Sequence, residues 1–354
     1  MAVRVAFIGV GNISGIYLKN ITQRFTEMKI IGLCDLVREK AEKAASEYGI
    51  GRVYRDMYEA FDDPAVDLIL NITRPYQHFE VSRQALLHGK HVYSEKPLGA
   101  SIEEGRALVR LAAEKKRLIG GAPDTFLGAG LQTCKKLIDD GFIGRPIGCS
   151  AFMLGRGPES WHPDPEFFYK YGGGPMMDMG PYYVTALTCL MGRVESVSAV
   201  TGRSFDRRTV TCREHSGETI EVEVSTFLSG SLRFESGAIG TLVTSFDVYQ
   251  AQLPNIQIYG EKGTLYAPDP NTFGGPVRLF RPEDGEIRDM PLLFPNRENS
   301  RGLGLLEMAR AIAEGRDDFI TSSRRTFHTL DVLTAFDRSS QAGRAIQMEK
   351  PLDP

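Results

Sequence analysis

The sequence predicts an α/β protein in two parts. A doubly wound parallel sheet is expected over residues 1–122, and an α+β half with a large, mostly antiparallel open sheet over 123–354. Three observations predict this. In the first third, short apolar runs (3–8, 30–34, 68–72, 91–93 and 118–120) alternate with polar, helix-like stretches (38–48, 79–88 and 101–115), the pattern of parallel βαβ units. A glycine-bearing turn, Gly9-Val-Gly-Asn-Ile-Ser-Gly15, directly follows the first run. Past residue 122 the texture changes to alternating stretches separated by turns such as Ser236-Gly237 and Glu261-Lys262-Gly263, as in an antiparallel sheet with one covered face.

The elements follow in order. Residues 3–8 form a buried strand, and Gly9 lets the chain turn tightly into the first helix. Gly11, Asn12 and Ile13 then lie at that helix's start, where backbone N–H groups and the helix dipole suit a pyrophosphate. Ser14 stands where the pattern has Gly or Ala, and it is small enough to keep helix and strand close. Asp35, after the second strand and about 20 residues beyond the glycines, can accept ribose hydroxyls. This is a Rossmann-type dinucleotide site leaning to NAD. Arg38 leaves NADP open, although Asp35 would repel a 2′-phosphate. Ser101 with Glu104 forms a capping box for the helix at 101–115.

In the second half, residues 131–140 read as a helix stopped by Gly141. Strands are expected at 148–154, 194–201, 220–227, 231–234, 239–246, 256–259 and 264–266. Residues 271–301, rich in Pro, Gly and charge, read as a long surface excursion, and 302–314 and 326–346 return to helical periodicity.

Bulk composition excludes several classes. At 354 residues, two domains are the natural expectation. A net charge of −3 gives no electrostatic case for nucleic acid or membrane binding. No apolar run approaches the roughly 20 residues that span a bilayer, and the N-terminus lacks a signal core. Five scattered cysteines suggest reduced thiols and a cytoplasmic setting, and the six histidines show no metal-ligand spacing.

Two further segments carry chemistry: Asn71-Ile-Thr-Arg-Pro-Tyr-Gln-His78, continuing to Gly89-Lys-His-Val-Tyr-Ser-Glu-Lys-Pro97, and Gly172-Gly-Gly-Pro-Met-Met-Asp-Met-Gly-Pro-Tyr182. With the glycine loop they make the whole chain resemble the glucose–fructose oxidoreductase, inositol dehydrogenase and rhizopine-catabolism family (Gfo/Idh/MocA). The resemblance implies that Lys96 lies beside the nicotinamide and contacts the reacting hydroxyl. An alcohol losing hydride must also lose its O–H proton, and a lysine near a cationic ring is a better base. The plain alternative is a solvated surface lysine.

The resemblance also implies that Asp178 binds a substrate hydroxyl. The family usually has histidine four residues on, where this chain has Tyr182, whose unperturbed pKa near 10 makes it a poorer base. Pro181 removes an N–H, so a kink or helix restart is expected between the two. Thr73, Arg74, His78 and Glu95 are implied near the cofactor. Arg74 replaces a proline common in the family, and His78 reads equally as a core histidine.

Trp161 and His162, followed by Phe167, Phe168 and Tyr169, offer aromatic faces and a hydrogen bond to a sugar, or else form core. Asp124 is placed like a substrate contact at the domain junction. The resulting expectation is an NAD(H)-dependent oxidoreductase acting on a secondary alcohol of a sugar, glycoside or cyclitol, a homodimer or homotetramer through the second sheet. A redox-assisted glycosidase of the same family and a non-enzymatic NAD or sugar sensor are the alternatives.

Overall fold

The computed structural model describes residues 2–350. It divides into two compact units: one runs to Asp124 and takes in Asn299–Leu330, the other comprises Thr125–Glu298 and Asp331–Lys350.

In the first unit, β1 (Val3–Ile8), β2 (Met28–Cys34), β3 (Leu68–Asn71), β4 (His91–Ser94) and β5 (Ile119–Gly121) form a parallel sheet in the order β2-β1-β3-β4-β5. All four residues of β3 are buried, as expected of a strand covered on both faces. The helices between these strands are α1 (Ser14–Gln23), α2 (Arg38–Tyr48) and α3 (Met57–Asp62), then α4 (His78–Leu87) and α5 (Ile102–Lys115). The strand order reverses at β1, so the crevice at the carboxyl ends of β1 and β3 is the topological switch point where such sheets bind ligands. Helix α5 starts at the predicted cap: the Ser101 hydroxyl accepts the Glu104 N–H at 3.2 Å. The Glu104 carboxylate reaches back one residue further than the cap, to the Ala100 N–H at 2.7 Å.

The expected division at residue 122 gives the whole remainder of the chain to the second half, and here the structure differs. Residues 299–330 return to the first unit. Leu305, Leu306, Met308 and Ala309 pack into the core that holds Val5, Phe7, Leu68 and Leu70. Asn20 on α1 donates to the carbonyls of Asn299 (3.1 Å) and Arg301 (2.8 Å), fixing the returning chain.

The second unit carries helices α6 (Ala129–Asp139), α7 (Pro175–Asp178) and α8 (Gly180–Met191). Its strands are β6 (Pro146–Leu154), β7 (Val194–Gly202), β8 (Arg207–Thr209), β9 (Thr219–Glu221), β10 (Phe227–Phe234) and β11 (Ile239–Ser245). They continue as β12 (Ile256–Gly260), β13 (Thr264–Ala267), β14 (Val277–Phe280), β15 (Ile287–Met290) and β16 (Ile346–Gln347). Nine of them form one sheet, β15-β14-β13-β12-β6-β11-β10-β7-β16, antiparallel throughout except between β6 and β11. Leu228, Leu232, Leu242, Ile256 and Ile258 pack on α8 and on Val332, Leu333 and Phe336. The opposite face exposes Val200 and Ile239.

Three second-half expectations need correction. Residues 220–227 and 231–234 are not two strands of the large sheet. Thr219–Glu221 pairs with Arg207–Thr209 in a separate hairpin, and Phe227–Phe234 is one unbroken strand. Gly230 sits at a buried position of this strand where a Cβ would approach Phe336 Cε1 to 2.7 Å and Ala199 Cβ to 2.8 Å. Residues 271–301 are not wholly a surface excursion, since they contain β14 and β15. The last helix, α9 being Leu303–Glu314 and α10 Ser323–Ala342, stops before 346: Gly343 takes φ +61° and Ile346 pairs with Val197. No helix of the described residues is long and apolar enough to cross a membrane.

Gly230→Val is therefore expected to lower stability by about 1–3 kcal/mol through overpacking, against valine's higher strand propensity. Urea unfolding checks this; a midpoint equal to or above wild type would show that the site has room.

Candidate active site

Gly9 takes φ +98°, and a Cβ there would lie 2.5 Å from the Ile72 carbonyl oxygen. The loop after β1 thus presses directly on the loop after β3, and only glycine fits. Gly11 differs: a Cβ there would meet nothing within 4 Å. Its residue faces an open cradle, as a bound pyrophosphate requires. Ser14 folds inward, its hydroxyl donating to the Gly11 carbonyl at 2.6 Å. Helix α1 has no side-chain cap and no acidic residue in its first turn, so its N-terminal dipole faces the cradle uncompensated by a carboxylate. Gly11 and Asn12 are exposed, and the half-buried Ile13 side chain packs against the core.

Asp35 is half-buried at the end of β2. One carboxylate oxygen accepts the Val10 N–H at 2.6 Å and the other the Val37 N–H at 2.8 Å. Each oxygen keeps a further acceptor site, so the carboxylate is oriented by the glycine loop and still able to receive ribose hydroxyls. Leu36 beside it is 92% exposed. Arg38 pairs with Glu42 one turn along α2 at 2.7 Å, both on the surface.

The loops after β3 and β4 converge on Asn71, fully buried at the end of β3. Its amide donates to the His78 carbonyl and the Ser82 hydroxyl, both at 3.0 Å. Its side-chain oxygen accepts the Thr73 hydroxyl at 2.7 Å and the Thr73 N–H at 3.2 Å. Thr73 therefore turns its hydroxyl inward, while Arg74 is exposed. His78 is 1% exposed, with Nδ1 2.7 Å from the Pro97 carbonyl and Nε2 3.0 Å from the Thr73 carbonyl. Both ring nitrogens face backbone carbonyls of the two loops. Glu95 is also buried, accepting the Tyr17 hydroxyl at 2.7 Å and the Lys96 N–H at 3.0 Å. Burial, then the Glu95 charge, holds the Tyr17 phenol well above its ordinary pKa, so it stays a donor. Glu95 thus orients the backbone of half-buried Lys96. Asn71 and Tyr17 were not singled out in the sequence. The signal for Asn71 was available: a lone amide ending an otherwise apolar strand.

In the second unit, α7 ends at Asp178 and α8 begins at Gly180 with Pro181 in its first turn, the expected helix restart. Asp178 is half-buried, and Tyr182 is 8% exposed within the core beneath the sheet. Trp161 is 65% exposed, its ring edge-on to His162 at 5.4 Å and to Phe168 at 6.3 Å. His162 accepts the Asp164 N–H at 3.0 Å. The turn before Trp161 is anchored by Glu159, whose buried carboxylate receives Arg208 Nη2 at 2.7 Å and the Tyr169 hydroxyl. Arg208 also reaches Asp247 at 2.9 Å.

Asp124 is 1% exposed. One carboxylate oxygen accepts the N–H groups of Gly302 (2.8 Å) and Gly304 (3.1 Å), capping α9 from outside the helix.

A parallel sheet with a glycine cradle at its switch point and an oriented acid after β2 defines a dinucleotide-binding protein. Residues 3–121 match the oxidoreductase family with an NAD-binding Rossmann fold, and residues 131–266 match the GFO/IDH/MocA C-terminal domain. The chain belongs to the Gfo/Idh/MocA oxidoreductase family and uses NAD. Among its relatives, scyllo-inositol 2-dehydrogenase (NAD(+)) of Bacillus subtilis is 26% identical over 354 residues, covering 98% of this chain and 96% of the relative. D-glucoside 3-dehydrogenase of Escherichia coli is 22% identical, covering 98% and 97%. An NAD-binding oxidoreductase from Klebsiella pneumoniae superposes with a TM-score of 0.79 at 20% identity, covering 99% and 100%. Levoglucosan dehydrogenase in complex with NADH and L-sorbose gives 0.82 at 19%, covering 98% and 99%. The two structural likenesses establish the fold.

Asp124 gives a pH prediction. Burial pushes its carboxyl up to about 6, opposed by the two glycine N–H groups. The folded state thus binds the proton more tightly than the unfolded chain does. Stability from this group is complete below its ordinary value near 4 and is lost as pH rises to about 6. Relative to Asp124→Asn, the wild type should lose on the order of 2–3 kcal/mol between pH 4 and 7. Asp124→Ala should be weaker than Asp124→Asn by about 1–2 kcal/mol at both pH values, having no acceptor for the α9 N–H groups. Chemical unfolding at the two pH values checks this; parallel wild-type and Asn curves would remove Asp124 as the titrating group.

Proposed function

We propose that this protein oxidises a secondary alcohol of a cyclitol or sugar with NAD, Lys96 taking the hydroxyl proton. The observation that carries this reading is the gripped Glu95–Lys96–Pro97 turn in the first unit, beside the switch point. The Lys96 N–H is held by Glu95 and the Pro97 carbonyl lies against His78. Two full-length relatives, named for scyllo-inositol and D-glucoside dehydrogenation, supply the substrate class.

The residues present fit the dinucleotide. The backbone of Gly9, Gly11, Asn12 and Ile13 would hold the pyrophosphate, Asp35 the ribose, and Leu36 would offer apolar surface to the adenine. Ribose recognition by Asp35 favours NAD, and Arg38 stays with Glu42 in that state. When bound, NAD supplies the hydride acceptor. Lys96 Nζ accepts the hydroxyl proton as the C–H bond breaks, so that no alkoxide forms unassisted. Asp178 accepts a hydrogen bond from a substrate hydroxyl and orients it, and Tyr182 in place of histidine relays the proton. Trp161 covers an apolar sugar face, with His162 bonding a hydroxyl. Thr73 and Arg74 border the nicotinamide half. A second copy of the chain is expected on the face of the large sheet that exposes Val200 and Ile239, giving a homodimer or homotetramer. A cytoplasmic setting suits the five free thiols.

The test is NADH absorbance while protein and NAD meet a panel of cyclitols, sugars and aryl glycosides, with released aglycone read in parallel. NADH growth on scyllo-inositol or a glucoside is expected; aglycone release without NADH would replace the dehydrogenase with a redox-assisted glycosidase. Lys96→Met should lower kcat by roughly 100-fold or more while leaving NAD affinity within a few-fold. Full turnover in that variant would remove Lys96 from the chemistry.

A further inference from the structure

The His78 ring lies between the two loops that border the switch point and is sealed from solvent. Its own backbone carbonyl accepts the Asn71 amide at 3.0 Å, so the residue is held through both its main chain and its ring. Pro97 has no N–H, and the imidazole engages its only polar backbone group. Lys96 is therefore gripped before and after: Glu95 holds its N–H, and His78 holds the carbonyl of the residue that follows. Burial depresses the imidazole pKa, which favours the neutral ring with a single N–H. The shorter contact, 2.7 Å, is at Nδ1.

A neutral ring has one N–H for the two carbonyls it faces; we propose that the proton sits on Nδ1 and donates to the Pro97 carbonyl, making His78 a positioning residue that holds the peptide following Lys96. The ring contributes neither a proton to the reaction nor a contact to the cofactor. This deepens the reading of Lys96 as proton acceptor and rests on it. A misplacement of about 1 Å at a catalytic group costs on the order of 100-fold in rate, so a clamp at the adjacent peptide bears directly on turnover.

Three variants separate the roles of the ring. Asn at this position places an amide nitrogen where Nδ1 stands, Gln places one where Nε2 stands, and Phe keeps the volume with no donor. With scyllo-inositol as probe, His78→Phe is expected to lower kcat roughly 10- to 100-fold with the NAD Kd within about threefold. His78→Asn should recover at least part of that loss and His78→Gln should not. A loss matched by weakened NAD binding would make the ring a cofactor contact. Unchanged kcat in His78→Phe, or better rescue by Gln than by Asn, would also overturn the proposal.

Two readouts need no turnover, so the proposal stands or falls even if scyllo-inositol and Lys96 fail their own tests. Nitrogen-15 spectra of histidine-labelled protein should show a slowly exchanging ring proton on Nδ1 of His78; a proton on Nε2 alone would refute the clamp. Amine labelling followed by mass spectrometry should find Lys96 modified at least threefold faster in His78→Phe, with Lys90 unchanged. Equal labelling of Lys96 in the two proteins would show that the ring does not hold it.

Discussion

A buried amide sets the geometry on which the first unit's site depends. Asn71 ends a strand covered on both faces, where an unsatisfied polar group costs about 1–3 kcal/mol. All its hydrogen-bonding capacity is met within its own neighbourhood, by Thr73, His78 and Ser82. Meeting those demands ties the end of β3 to the start of α4 and curls the intervening loop back on itself. The same strand end accepts the Glu95 N–H through its carbonyl. One residue thus ties the two loops together, its side chain holding the loop of Thr73 and its backbone carbonyl the residue before Lys96. The approach of Gly9 to Ile72 brings in the third loop.

Charge is used sparingly in this arrangement. The cradle presents backbone N–H groups and a helix terminus; the nearby carboxylates, Asp35 and Glu95, are both committed to backbone N–H donors. A carboxylate so oriented cannot rotate away when a ligand arrives, and its remaining lone pairs are aimed before binding. Tyr17 serves Glu95 in the same sense. Its phenol stays protonated because ionisation would place a second negative charge beside Glu95 in a buried site.

The sequence made the first unit's sheet readable because each of its strands is a continuous apolar run bounded by turn residues. The tight turn at Gly9 was readable because close backbone approach demands glycine there. What was not readable depends on contacts distant in the chain. Only the packing of Phe336 and Ala199 against Gly230 explains a glycine in mid-strand. The return of residues 299–330 to the first unit leaves no local mark, since an amphipathic helix does not say which core it covers. His78 reads equally as a cleft and as a core histidine, and its ring nitrogens lie against two backbone carbonyls, while Asp124 accepts two backbone N–H groups; such partners, distant in the chain, satisfy buried polar groups without a local mark in the sequence.

The second unit handles its candidate substrate segment differently. Trp161 stands exposed on a short turn. Beneath it, Arg208 is buried between Glu159 and Asp247, while the Glu159 backbone carbonyl receives the N–H groups of Thr211 and Cys212. Buried ion pairs add little net stability compared with apolar packing, since desolvation offsets their attraction. Their consequence is geometric: with two carboxylates and one guanidinium sealed together, displacing any partner strands a charge. The turn before Trp161 therefore has one arrangement of low energy.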